Sequence, residues 1–134
     1  MADPYWQVQD PNSLPLFPGM FQSLYGNFNI GANKTTDTGC NFNNSFSGQV
    51  QLSGANDGAN LTLRMIERLT RVYSGTMQAN GFYNASGTGN LNGYEYSGRI
   101  YGVVTGNTIA GFETLDFTSG CPGKQVVYQF NGNK

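Results

Sequence analysis

Apolar and polar residues alternate along most of the chain after residue 25, as expected for strands that bury one face. The clearest stretch is 46–53, where Phe46, Gly48, Val50 and Leu52 share one face and polar side chains occupy the other. Further strand patterns cover 27–30, 82–86, 91–104, 108–117 and 125–130, separated by turns rich in Gly and Asn. The pattern predicts an all-β fold in which an antiparallel up-and-down meander of about eight strands closes into a small β-barrel.

A Ser-Gly pair recurs inside these strands. It appears at Ser47-Gly48, Ser74-Gly75, Ser86-Gly87 and Ser97-Gly98, with a looser copy at 109–111. Glycine within an alternating strand marks a bend, a bulge or a close approach of another backbone. Repeated from strand to strand, it predicts a strongly coiled sheet, which closure of a small barrel requires.

The segment 60–72 fits two patterns. Met65, Ile66, Leu69 and Val72 follow a helical stripe, whereas the β-branched residues and the direct run into the next Ser-Gly pair favour strands. We favour two strands that meet near Glu67 and Arg68.

Composition excludes several classes of function. The chain has 134 residues, 11% of them charged, and a net charge of −1, so it lacks the basic surface that nucleic acid or anionic lipid would need. It has no histidine, which excludes Ser-His-Asp hydrolysis, Cys-His proteolysis and histidine-based zinc sites within one chain. No Asp-x-Asp spacing suggests calcium, and no apolar stretch reaches the ~20 residues of a membrane helix. We therefore expect no metal, no cofactor, no nucleic acid partner and no membrane span.

Cys40 and Cys121 are the two cysteines, and we expect them to form one disulfide rather than two buried thiols. A disulfide indicates an oxidising compartment, so the expected location is secreted or periplasmic. The first residues show no signal peptide, as in the mature form of an exported protein preceded by Met-Ala.

Residues 1–24 differ from the remainder of the chain. They hold four of the five prolines together with Trp6, Leu14, Phe17 and Phe21. Proline disfavours central strands, and so much apolar surface disfavours a solvated linker. We expect an extended arm (1–24) that packs on its own barrel or on a neighbouring subunit, followed by a single barrel domain (25–134).

The start of the first strand, Tyr25-Gly26-Asn27-Phe28, resembles the Gly-x-Trp opening of lipocalins and other calycins, with Phe28 at the tryptophan position. The family's arginine near the barrel end has no clear counterpart, although Lys124 precedes the last strand. The resemblance implies an eight-stranded barrel that holds a small apolar ligand.

Charged residues and tyrosines inside predicted strands are the candidate ligand-binding groups. Glu113 shares its face with Ile109, Leu115 and Phe117, where an inward carboxylate needs a cationic or wet partner. The alternative is a purely structural ion pair or a position on the outer face. The candidate set comprises Glu113, Glu95, Arg99, Arg71, Tyr73 and Tyr96.

Three main functions remain open from the sequence, and a lectin is a minor fourth option that rests only on the aromatic and Asn content. The leading one is a non-enzymatic exported barrel that binds a small, largely apolar molecule. The second is a structural or assembly subunit that self-associates through its N-terminal arm into an oligomer. The third is a cofactor-free cyclase or isomerase that uses Glu113 or Glu95 with a tyrosine as acid and base.

Overall fold

The computed structural model describes residues 21–134, which form one closed antiparallel barrel of eight strands. Each strand pairs with the next one along the chain, and β1 pairs with β8 to close the barrel. The predicted all-β meander barrel is therefore confirmed. The strands are β1 (Gly26–Asp37), β2 (Ser45–Gly54), β3 (Leu61–Ile66), β4 (Arg71–Met77), β5 (Phe82–Leu91), β6 (Tyr94–Thr105), β7 (Thr108–Phe117) and β8 (Gln125–Asn133).

The ambiguous segment 60–72 forms two strands, as favoured from the sequence. β3 pairs with β4 so that Leu63 lies opposite Tyr73 and Met65 lies opposite Arg71. Leu61, Leu63 and Met65 alternate into the interior and are buried. The helical pattern is not realised, because β3 pairs with β2 and β4 and its alternation turns the apolar residues into the barrel interior.

Several strands run further than the sequence predicted, including β5, which reaches Leu91, and β8, which reaches Asn133. Two further differences have a clear local cause. β1 continues to Asp37, because residues 36–37 extend its pairing with β8 beyond an irregularity after Lys34. The stretch 91–104 is interrupted by a two-residue hairpin turn at Asn92 and Gly93, whose φ angles are 53° and 90°. Asn-Gly suits such a turn because both residues tolerate positive φ.

The Ser-Gly pairs place serine outward and glycine inward. Ser74 is exposed, while a Cβ added to Gly75 would lie 1.9 Å from the carbonyl oxygen of Asn84 on β5. Only a residue without a Cβ permits this approach of β4 to β5. The glycines thus allow the tight coiling that the sequence pattern predicted.

We call the end of the barrel where β1 begins the closed end. Phe21 and Tyr25 are buried there, and the Tyr25 hydroxyl donates a hydrogen bond of 2.7 Å to the carbonyl of Ala55. The Lys134 ammonium lies 5.3 Å from the centre of the fully buried Phe28 ring. Of the predicted arm, residues 21–24 form a turn at this end, and residues 1–20 lie outside the described residues.

The opposite end, where β1 ends, carries the disulfide. Cys40 in the β1–β2 loop is bonded to Cys121 in the β7–β8 loop, with a Cα–Cα distance of 5.5 Å and 81 residues of separation. Closing a loop of this length stabilises the fold by about 4–5 kcal/mol on the chain-entropy estimate. The predicted disulfide is present, and it ties together the two longest loops of this end.

Candidate functional site

A cavity of about 320 Å³ opens at the disulfide end of the barrel. We call it the open-end cavity. Its walls are mainly aromatic and aliphatic side chains that project from the loops at this end and from the adjoining ends of the strands. They include Phe42, Phe46, Leu69, Leu91, Tyr94, Leu115 and Tyr128.

The β1–β2 loop that forms one wall is organised by a single carboxylate. Asp37 accepts hydrogen bonds from the backbone N–H groups of Gly39 (3.0 Å), Cys40 (2.7 Å) and Phe42 (2.8 Å), and from the Lys34 ammonium (3.0 Å). Burial alone would raise the pKa of Asp37, but these hydrogen bonds together lower it well below its ordinary value. The charged carboxylate therefore fixes the loop that presents Phe42 to the cavity.

Aromatic rings pack against one another around the cavity. Phe42 contacts Phe117 and Tyr94 with ring centroids 5.1 and 5.9 Å apart, and Phe46 contacts Tyr128 at 4.9 Å. The Tyr128 hydroxyl donates a 2.6 Å hydrogen bond to the carbonyl of Asn43. These contacts give the cavity a defined apolar wall.

The most firmly held polar group at the cavity is a guanidinium between two carboxylates. Arg71 donates to both oxygens of Glu113, at 2.5 Å from Nε and 2.9 Å from Nη2. Its Nη1 donates to Glu67 at 2.7 Å and to the carbonyl of Leu69 at 3.2 Å. Phe46 covers the guanidinium with its ring centre 5.5 Å away. Arg71 and Glu67 line the cavity, so its polar corner is positioned before any ligand arrives.

Tyr73 completes what we call the polar cluster, which consists of Arg71, Glu113, Tyr73 and Glu67. The Tyr73 hydroxyl donates a hydrogen bond to Glu113, whose side chain is fully buried. Tyr73 sits against Gly98, where an added Cβ would lie 2.8 Å from the hydroxyl oxygen. The carboxylate of Glu113 is therefore satisfied from both sides, by Arg71 and by Tyr73.

Electrostatics keep Arg71 and Tyr73 protonated. Burial acts to lower the pKa of Arg71, but Glu113 and then Glu67 raise it above its ordinary value. The pKa of Tyr73 is raised, first by burial and then by the charge of Glu113. Arg71 thus stays charged and Tyr73 stays protonated at neutral pH, so this is a fixed ion pair with a hydrogen-bond donor attached.

The structure brings together three of the six residues proposed from the sequence: Arg71, Tyr73 and Glu113. Tyr96 is also buried, and burial followed by Glu113 raises its pKa against the opposing effect of Arg71. Glu95 and Arg99 are exposed on the outer face of β6. Their proposed position inside the barrel is corrected because they alternate with the inward residues of that strand.

Glu67 was noted in the sequence but not assigned to the site. It lies in the β3–β4 loop, four residues before Arg71, and its side chain is 24% exposed. The sequence feature that could have identified Glu67 is its position in the turn before β4, four residues from the inward Arg71. Phe42 carried no comparable signal because it lies in the β1–β2 loop, whose conformation decides where its ring points. Phe46 lies in β2 on the inward face that strand alternation predicted.

The comparisons with known proteins identify no relative: no family model, no curated protein and no solved structure matches this chain. Within residues 21–134, no group of three or more His, Cys, Asp or Glu side chains is arranged to hold a metal ion. The same residues contain no helix long and apolar enough to cross a bilayer. Function must therefore be argued from the cavity itself.

Proposed function

We propose that the barrel binds a small, largely apolar molecule in the open-end cavity and performs no reaction on it. The observation that carries this proposal is a preformed cavity with an aromatic wall and a fixed ion pair between Arg71 and Glu67. Further polar side chains line the same cavity, namely Asn41, Asn43, Arg68 and Asn92. Ligand sites in proteins combine these features, since apolar lining supplies affinity and a few positioned polar groups fix orientation.

The size of the cavity limits the ligand. Its volume of about 320 Å³ is near the lower end of the ~300–1,000 Å³ typical of ligand pockets. A molecule of one or two rings, or a short aliphatic chain with a polar end, fits this space. The polar end would lie beside Arg71 and Glu67, and the apolar part would contact Phe42, Phe46 and Tyr94.

An acid–base role for Glu113 has little support in this geometry. Both of its oxygens accept hydrogen bonds from Arg71, Tyr73 contributes another, and the side chain is fully buried. A general base must reach the proton that it removes. Binding therefore accounts for the polar cluster better than a cyclase or isomerase activity does.

Two further observations support an exported, lipocalin-like binding protein. The disulfide between Cys40 and Cys121 suits an oxidising compartment. At the closed end, Lys134 follows the last strand and places its ammonium over Phe28, the residue at the tryptophan position of the lipocalin pattern.

A neutral fluorescent probe tests the proposal. N-phenyl-1-naphthylamine becomes bright in apolar surroundings, and we expect saturable enhancement with the wild-type protein. The Leu69→Trp substitution places a larger side chain at the cavity wall and should weaken probe binding by about tenfold or more. The matched control is Phe82→Ala, which removes an aromatic ring that is 52% exposed on the outside of the barrel.

The two variants separate a cavity site from surface adsorption. Loss of binding in Leu69→Trp with retention in Phe82→Ala supports the proposal. Absence of saturable binding by the wild-type protein, or equal binding by Leu69→Trp with an unchanged melting temperature, would overturn it.

A further inference from the structure

A row of uncharged side chains crosses the outer face of the barrel. Register pairs Asn84 on β5 with Tyr101 on β6, Tyr101 with Phe112 on β7, Phe112 with Gln129 on β8, and Gln129 with Asn33 on β1. We call these five residues the amide–aromatic row. Two aromatic rings thus stand at its centre, with amide side chains on both sides.

The two rings form a platform in which Tyr101 is exposed and Phe112 is half-buried. Tyr101 is 44% exposed, and its ring lies 5.8 Å from that of Phe112 at an interplanar angle of 29°. Phe82, on the adjacent strand, is 52% exposed and pairs in register with Val103, two residues from Tyr101. Neighbouring exposed aromatic residues on a soluble domain mark an interaction site more often than isolated ones do.

The flanking amides have unused hydrogen-bonding capacity. Asn33, Asn84 and Gln129 are exposed, and within residues 21–134 their side chains make no hydrogen bond. Each amide offers a carbonyl acceptor and an NH₂ donor. The platform is therefore bordered by groups that can both donate to and accept from a ligand's hydroxyls.

Charge is absent from the row and from its neighbour toward the closed end. That neighbouring row contains Phe82, Val103, Ala110 and Asn131. The next row toward the open end introduces a single cation at Arg99, between Ser86 and Thr114. A face with this composition gives no electrostatic preference for an acidic or basic partner.

We propose that the amide–aromatic row binds a neutral hexopyranose oligosaccharide. A pyranose ring has an apolar C–H face and a rim of hydroxyls, so it can lie on Tyr101 and Phe112 while its hydroxyls bond to the amides. Tyrosine suits this contact because it presents a large rigid surface with few torsions to fix. This site is separate from the open-end cavity, and its test is independent of the ligand there.

A second copy of the chain is the competing occupant of this face. A stable protein interface buries about 800 Å² on each partner around a largely apolar centre. Here the apolar centre is small and free amides border it, which favours a sugar. Dimerisation is nevertheless a distinct outcome that the experiment detects.

The experiment is a two-dimensional ¹H–¹⁵N NMR titration of bacterially expressed protein with cellohexaose, mannohexaose and maltohexaose, each to about 10 mM. We expect at least one sugar to bind with a dissociation constant of about 1 mM. The shifted amides should cluster on β6, β7 and β8 around the row. Tyr101→Ala and Phe112→Ala should each weaken binding by about tenfold, whereas Val72→Ala, a change at a residue that is 46% exposed on β4, should not.

Several results would overturn the proposal. One is the absence of shifts with all three sugars. Another is binding that shifts amides elsewhere, or that survives in Tyr101→Ala and Phe112→Ala variants with native spectra. Sedimentation that shows a dimer for the wild-type protein and a monomer for Tyr101→Ala would assign the face to a second copy instead.

Discussion

Arg71 and Glu113 join opposite walls of the barrel through two hydrogen bonds of 2.5 and 2.9 Å. Their strands, β4 and β7, are separated by β5 and β6 and share no backbone pairing. The pair therefore spans the interior directly and separates the packed closed-end core from the open-end cavity. Because both side chains are almost wholly buried, the loss of either partner leaves a desolvated charge.

The first prediction concerns this pair. Glu113→Gln replaces one oxygen that accepts from Arg71 with an NH₂ group that cannot accept. We expect the free energy of unfolding to fall by about 3 kcal/mol or more, since breaking a buried pair on one side costs about 3–5 kcal/mol. Urea denaturation measures the change.

Glu95→Gln is the matched control because Glu95 is exposed on the outer face of β6. Its effect should stay within about 0.5 kcal/mol. Similar effects of the two substitutions would contradict the assignment of Glu113 as the buried partner of Arg71.

The second prediction compares two glycines. Gly75→Ala would place a Cβ 1.9 Å from the Asn84 carbonyl oxygen, whereas a Cβ at Gly31 would have no atom within 4 Å. We expect Gly75→Ala to destabilise the barrel by about 2 kcal/mol or more through overpacking. Gly31→Ala should be neutral or stabilise by up to about 1 kcal/mol. Thermal melts of both variants test this, and equal melting temperatures would refute the close-approach explanation.

The charged residues within the strands show how far strand alternation alone could predict the fold. Strand alternation fixed the faces, so the inward position of Glu113 beside Ile109 and Leu115 followed from it and is confirmed. The same alternation places Glu95 and Arg99 outward in β6, opposite to their proposed interior role. Alternation therefore places the charged residues of β6 and β7, but it fails for Asp37, which follows the register irregularity after Lys34 in β1.

Strand alternation could not predict how the open-end cavity is assembled. Phe42 reaches the cavity because Asp37 binds three backbone N–H groups of its loop and the disulfide anchors Cys40. The partner of Arg71 depends on which strands face each other across a closed barrel. Both relationships depend on tertiary contacts, which the periodicity of apolar residues along the sequence does not reveal.

The third prediction is a loss of stability in alkali. Burial, followed by the charge of Glu67, raises the pKa of Tyr128 to about 12, and burial raises that of Tyr73 further. A raised folded-state pKa contributes stability that is fully present below the ordinary tyrosine pKa of about 10 and is lost as the pH rises through the folded value. The free energy of unfolding should therefore decline from about pH 10 upward.

Absorbance at 295 nm during a pH titration follows tyrosinate formation, and urea melts at each pH follow stability. Tyr128→Phe should reduce the steepness of the alkaline decline because it removes one of the shifted groups. A stability that is constant from pH 9 to 12, or a native-state titration of Tyr128 near its ordinary pKa of about 10, would show that burial does not shift it.

The fourth prediction tests the N-terminal arm, whose assembly role competes with ligand binding. Phe21 is 3% exposed, and a Cβ at Gly58 would lie 2.6 Å from its ring, so residues 21–24 pack on the closed end of their own barrel. Deleting residues 2–24 should therefore destabilise the barrel by about 2 kcal/mol or more, as expected when a buried aromatic side chain is lost. Deleting only residues 2–20 keeps Phe21 and isolates the contribution of the preceding segment.

Light scattering and thermal melts of both deletions decide between the two roles. A wild-type oligomer that becomes a monomer when residues 2–20 are removed would support assembly through the arm, because the barrel itself is unchanged in that variant. A protein that is monomeric in all three forms, with stability lost only in the longer deletion, would confine the role of this region to closing its own barrel. Equal stability of the longer deletion and the wild-type protein would contradict the closing role assigned to Phe21.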